Sequence, residues 1–139
     1  KELERVRAAQ VLQAAAELAS NPKDVFGVQY VGHRAPDGVN GGDLRKLALD
    51  VRGRISNDKP AVIAVLSVND GKPGVVVALN DTAREWRLKA GDLVRIAAEK
   101  LSGRGGGKDD VAQGGGTDPA GADDALSAVE HAIGHQVTG

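Results

Sequence analysis

Residues 61–68, AVIAVLSV, are apolar at every position but one, and residues 74–80, GVVVALN, resume the pattern after a five-residue gap. A strand with one solvated face alternates apolar and polar residues, whereas a near-continuous apolar run needs cover on both sides. The gap is Asn69-Asp70-Gly71-Lys72-Pro73, a tight-turn signal, so the two runs read as a β-hairpin. The rest of the chain must supply the layers that bury it.

Helical periodicity supplies them. Leu44, Leu47, Ala48, Val51 and Ile55 fall at i, i+3, i+4, i+7 and i+11, which predicts an amphipathic helix over 43–55 with Asp43 as its N-cap. Ala90, Leu93, Val94, Ala97 and Leu101 repeat the spacing over 90–101. Asp118-Pro119 opens a last helix carrying Leu126, Val129, Ile133 and Val137. Residues 2–20 are rich in Ala and Leu and read as a first helix, stopped at Asn21-Pro22. Its broad apolar face, with Leu3, Val6 and Leu18, is expected to need a partner: a second protomer or an upstream helix. Residues 25–33 read as one strand and 34–42 as a loop.

The expected fold is therefore α/β (α+β), a small mixed sheet of three to four strands with flanking helices. Its core should hold Leu44, Leu47, Val51, Ile63, Val65, Val76, Leu93, Val94 and Ala97. Residues 1–22 are assigned to the end of a helical or coiled-coil subdomain. Residues 23–139 form the globular domain, with a Gly-rich loop at 102–116. A length of 139 residues suits one ordinary domain. The chain contains no Met and begins at Lys1, as expected of a module within a longer protein.

Composition narrows the function classes. Cysteine is absent, so a disulfide framework or a Cys-based zinc site is excluded. No apolar run is long enough to span a bilayer, and a cytoplasmic protein with no membrane contact is expected. All 18 basic residues lie in the first 108 positions, against 13 acids; residues 109–139 carry six acids and no Lys or Arg. A modestly basic body can present one face to a polyanion although the net charge is −1. The only aromatic residues are Phe26, Tyr30 and Trp86, too few for a single-strand reader built on stacking platforms.

The segment 102–116, SGRGGGKDDVAQGGG, has seven Gly among fifteen residues. Glycine admits close backbone approach and leaves N–H groups open to anions, and Arg104 and Lys108 bracket the triple Gly. A P-loop is excluded because Asp109, not Ser or Thr, follows Lys108. A dinucleotide fingerprint fails because Lys108 and Asp110 stand where its last Gly belongs. Composition alone also suits a flexible Gly-rich linker; the interleaved charges and the patterned elements on either side suggest instead recognition of phosphate or of a folded polyanion surface. Gly103, Arg104, Gly105, Gly106, Gly107, Lys108, Gln113 and Gly114 are its candidates, with Arg45, Arg52 and Arg95 extending the basic surface. Gly106 is expected to matter through backbone approach and positive φ.

These same residues resemble a known signature, G-G-[RK]-G-G-G-[KR]-P-D-[MV]-A-Q-[AG]-G-G, of the C-terminal domain of alanyl-tRNA synthetases, which is related to the domain accompanying DHH-family phosphoesterases. Residues 103–108 and 110–116 match it, and Leu88-Lys89-Ala90-Gly91-Asp92-Leu93-Val94 resembles the L-K-A-G-[ED]-L-V that precedes it. Ser102 stands where the family usually has Gly, and Asp109 where it usually has Pro. The second departure is expected to loosen the loop. The resemblance implies a non-catalytic domain docking on the outer corner, or elbow, of alanine-specific tRNA. It implies that the ATP, magnesium and zinc of such a ligase are held outside this chain.

No Ser–His–Asp or Cys–His arrangement occurs, and no catalytic residue is assigned. His131 and His135 are spaced i, i+4, a zinc-compatible spacing, yet without Cys they read as surface residues, so no metal ligand or cofactor is assigned to this chain. Two other readings stand beside the first. One is the tRNA-binding tail of a stand-alone hydrolase that clears mischarged tRNA. The other is an interaction module, a homodimer formed through residues 2–20.

Overall fold

The computed structural model describes residues 15–138. The end of a first helix, α1, covers residues 15–20. There follow β1 (Lys23–Val25), β2 (Val28–Arg34), α2 (Gly41–Arg54), β3 (Ala61–Asn69), β4 (Lys72–Leu79), α3 (Asp81–Glu85), α4 (Ala90–Lys100), β5 (Arg104–Gly107), β6 (Val111–Gly115), a short 3-10 turn at Pro119–Gly121 and α5 (Ala122–Thr138).

The strands form one mixed sheet in the order β1-β2-β3-β4-β6-β5. Only β2 and β3 run parallel; the other neighbours are antiparallel. The apolar hairpin holds the centre, as its composition demands. Odd and even positions of β3 face two separate cores. Val62, Ala64 and Leu66 pack with Val75, Val77, Leu93, Val94, Ala97, Val129 and Ile133, on the side of α4 and α5. Ile63 and Val65 pack with Val76, Ala78, Leu44, Leu47, Val51 and Val111, on the side of α2. All nine residues expected in the core are buried.

The sheet has six strands where three or four were expected. Two of the extra strands come from the Gly-rich segment, which is a hairpin at the sheet edge and not a loop. Another comes from residues 25–33: the chain reverses at Phe26-Gly27, both at positive φ (51° and 91°), and splits the expected strand into β1 and β2. Helix α3 carries no periodic signal because it has only five residues. Asn80 builds it: the buried side chain accepts from Ala83 N at 2.9 Å, accepts from Ala61 N at 2.9 Å, and donates to the Lys59 carbonyl at 2.9 Å. The N-cap of α2 is Asn40, whose side chain accepts from Asp43 N at 2.8 Å; Asp43 lies in the first turn. Asn40 holds the extended backbone that a cap requires, while Asp43 is already helical.

Helix α5 is pinned across the sheet by Tyr30, whose hydroxyl donates to the Leu126 carbonyl at 2.7 Å. Burial, helped by the Glu130 charge, pushes this phenol well above its ordinary range, so it stays a donor. In α1, Ala15 is fully buried and Leu18 is partly buried against the α2-side core. Leu3, Val6 and most of the expected dimer helix lie outside the described residues. Among the described residues no helix is long and apolar enough to cross a membrane.

Candidate functional site

The Gly-rich hairpin sits where two constraints meet. Helix α4 ends in a Schellman motif: Gly103 N–H reaches the Ala98 carbonyl at 2.9 Å and Ser102 N–H the Glu99 carbonyl at 3.2 Å. Ser102 occupies the left-handed position of that motif, with φ 57°. The chain then runs back beneath α4 as β5. Its turn is tied down, because Ala90 N–H at the start of α4 reaches the Asp109 carbonyl at 2.9 Å and Leu79 N–H reaches the Asp110 carbonyl at 2.8 Å. The main-chain carbonyls carry these ties, so losing Pro at 109 removes neither.

Register divides the candidates between two faces. Lys108 N–H bonds the Val111 carbonyl at 3.0 Å, closing a two-residue turn. Alternation then makes Gly106↔Gln113 and Arg104↔Gly115 the hydrogen-bonded pairs. Gly105 and Gly107 occupy the non-hydrogen-bonded positions, so their N–H and C=O groups point away from β6; at Gly107 they lie against α4, where a Cβ on Gly91 would meet the Gly107 carbonyl oxygen at 3.2 Å. Close approach supports this phase: a Cβ on Gly105 would lie 2.8 Å from Gly114 Cα, and one on Gly107 would lie 2.7 Å from Ala112 Cα.

Gly105, Gly107 and Gly114 face α4, where Val94 Cγ1 would stand 3.1 Å from a Cβ on Gly105. Gly103 and Gly116 lie against the Gly115 and Leu101 carbonyls, where any side chain would overlap backbone. These glycines are explained by packing. Gly106 is different: nothing lies within 4 Å of its absent side chain, and its φ is not positive. The positive φ expected at Gly106 is therefore corrected. Its bareness opens onto solvent.

Arg104, Gly106 and Lys108 share the opposite face with Val111, Gln113 and Gly115. Helix α2 covers β3 and β4 on that face and ends its cover at β6, where a Cβ on Gly41 would meet Gln113 Nε2 at 2.6 Å. Arg45 follows Gly41 by four residues and Arg52 follows Arg45 by seven, so both line the α2 flank facing the hairpin. Arg52 reaches Asp110 at 3.8 Å and the Leu79 carbonyl at 3.5 Å, which holds it at the hairpin turn. Arg45, Arg104 and Lys108 are exposed and have no ion pair among the described residues. Arg104 and Lys108 are about 13 Å apart along the strand. Arg95 lies on α4 in the other layer, exposed and 3.6 Å from Asp92. The structure thus brings ten candidates to one hairpin and its flank, but only Arg45, Arg52, Arg104, Gly106, Lys108 and Gln113 to one face.

His131 and His135 stand exposed on α5, and among the described residues no cluster of three His, Asp or Glu side chains could hold a metal.

Residues 25–135 match the family model described as DHHA1 domain. The chain is 53% identical over 133 residues to an alanine–tRNA ligase of Thermobifida fusca and 56% identical over 133 residues to that of Streptomyces avermitilis. Each alignment covers 96% of this chain and 15% of the relative, so the chain spans about one seventh of those proteins' length. Among solved structures, the C-Ala domain of Aquifex aeolicus alanyl-tRNA synthetase superposes with a TM-score of 0.69 at 24% identity, covering 82% of this chain and 98% of that one. RecJ of Thermus thermophilus shares the fold at a TM-score of 0.59 and 20% identity, covering 96% of this chain and 19% of that one.

Proposed function

The chain belongs to the DHHA1 domain family, and from that premise we propose that it is the tRNA-binding domain of an alanine–tRNA ligase, docking on the tRNA elbow through the α2-side face of the Gly-rich hairpin. Its ligase relatives support a parent of that kind, and in this proposal any ATP, magnesium or zinc of the parent is held outside this chain. In this reading the chain takes no chemical step. It supplies positioning energy that helps hold one tRNA for both aminoacylation and editing.

The observation that carries the reading is the bare backbone at Gly106 between two unpaired cations on an exposed strand face. A phosphate backbone can lie directly on such a strand while Arg104 and Lys108 neutralise it from either side and Arg45 from the α2 flank. Contacts of this kind read shape and charge and little base identity.

Gly106→Val separates binding from folding. Valine suits a strand and meets open space here, so the variant should melt within about 2 °C of wild type. It should lose tRNA affinity about tenfold in a gel shift, because the branched side chain holds phosphate off the backbone. A Gly106→Val chain that binds like wild type would remove this face from the interface.

A further inference from the structure

Two hairpins of this molecule turn on the same geometry with different residues. The β3–β4 turn places Asp70 and Gly71 at φ 50° and 76°, and the β1–β2 turn places Phe26 and Gly27 at 51° and 91°. Both have the positive-φ pair of a type I′ turn, whose first position favours Asn, Asp or Gly. Phenylalanine there is a steric outlier. It is also poorly buried: Phe26 is 66% exposed, touching Gly134 of α5 on one side of its ring. Trp86, at the end of α3, is 42% exposed, and its ring lies 3.4 Å from where a Cβ on Gly27 would be. The two exposed large apolar side chains among the described residues therefore flank one glycine. Neither strand formation nor core packing accounts for a strained, solvent-facing aromatic beside a second one.

The position of this corner names an occupant. The start of β2, the start of β3, the end of β4 and the β5–β6 turn all lie at one end of the sheet. Phe26 and Lys108 are therefore on the same end, four strand spacings or about 19 Å apart. Arg87 and Lys89 follow Trp86 directly and have no ion pair among the described residues. The cations stand on the Trp86 side, beside the exposed Glu85, while Phe26 shares its cleft with Asp24, Glu130 and the paired Lys23. Exposed aromatic faces with cations on one side, at the end of the sheet that carries Lys108, suit a nucleic acid that presents both bases and phosphates.

We infer that Phe26 and Trp86 form a stacking platform for unpaired or end-exposed bases of the tRNA elbow, with Arg87 and Lys89 on the adjoining phosphates. The inference rests on the tRNA reading above and adds a base-contacting end to its phosphate-contacting face.

Trp86 is the only Trp in the chain, so its fluorescence reports the corner directly. Titration of the 139-residue chain with tRNA should quench Trp86 saturably, while heparin, which carries charge without bases, should not. Phe26→Asn fits the turn better than Phe and should fold at least as stably, yet bind tRNA about tenfold more weakly with an unchanged salt slope. Phe26→Tyr should retain the affinity. A purely structural role predicts the reverse for Phe26→Asn, no loss of affinity. If tRNA binds but Trp86 emission does not move and Phe26→Asn binds like wild type, the platform is wrong and the tRNA reading stands. If no tRNA binds, both fail. If Phe26→Asn abolishes self-association in sedimentation and leaves tRNA affinity intact, the corner is a protein contact and the inference is overturned.

Discussion

Single residues in this chain carry constraints that composition hides. Ser102 closes the Schellman motif of α4 at φ 57°, a conformation in which an L-residue is disfavoured and glycine is not. Ser102→Gly should therefore raise stability by about 1 kcal/mol in urea unfolding. His33, half-buried on β2, has its pKa lowered by that burial. The unfolded chain then binds a proton that the folded chain resists, so stability present above about pH 6.5 is lost as pH falls below it. His33→Gln should flatten the dependence of melting temperature on pH in that window. The seven glycines of 102–116 look alike in sequence, yet Gly103 and Gly116 are fixed by backbone contact while Gly106 faces open space. Composition marked the segment; only register distinguishes its members.

Elements were legible in proportion to their periodicity. Helices α2, α4 and α5 and the β3–β4 hairpin follow from apolar spacing and an Asp-Gly turn, because burial of a patterned face decides each of them. The β5–β6 hairpin was not legible. Glycine disfavours strands intrinsically, and these strands form because α4 approaches too closely for side chains and because β4 supplies a pairing edge. The β1–β2 reversal was missed because Phe-Gly is a poor turn signal, the anomaly that later points to a role for Phe26. Helix α3 rests on one buried side chain, Asn80, with four partners: Ala61, Ala83, Lys59 and Ser56. Asn80→Ala strands the Ala61 and Ala83 N–H groups together with the Lys59 carbonyl and should cost about 3 kcal/mol, read as a lower urea midpoint. Asn40→Ala, which removes a single exposed cap bond, should cost about 1 kcal/mol.

At the scale of the molecule, the sheet separates two tasks. Helices α4 and α5 pack one face, while α2 covers the other only as far as Val111 and Gln113 of β6 and, among the described residues, leaves its outer part at β5 exposed. The candidate interface is that exposed part. Its cations were legible as charges in the sequence, but not as a group. Arg95 and Arg104 look equivalent by composition, and they lie on opposite sides of β5. The central claim is that this exposed part binds tRNA through phosphate. The direct measurement is tRNA affinity of the chain at several salt concentrations, for wild type and for Arg104→Ala/Lys108→Ala. Affinity should fall steeply with salt for wild type, and the double variant should bind more weakly with a log–log slope reduced by about one to two charges. Equal affinity and equal slope for the two proteins would contradict the account and leave the Gly-rich hairpin as a structural edge.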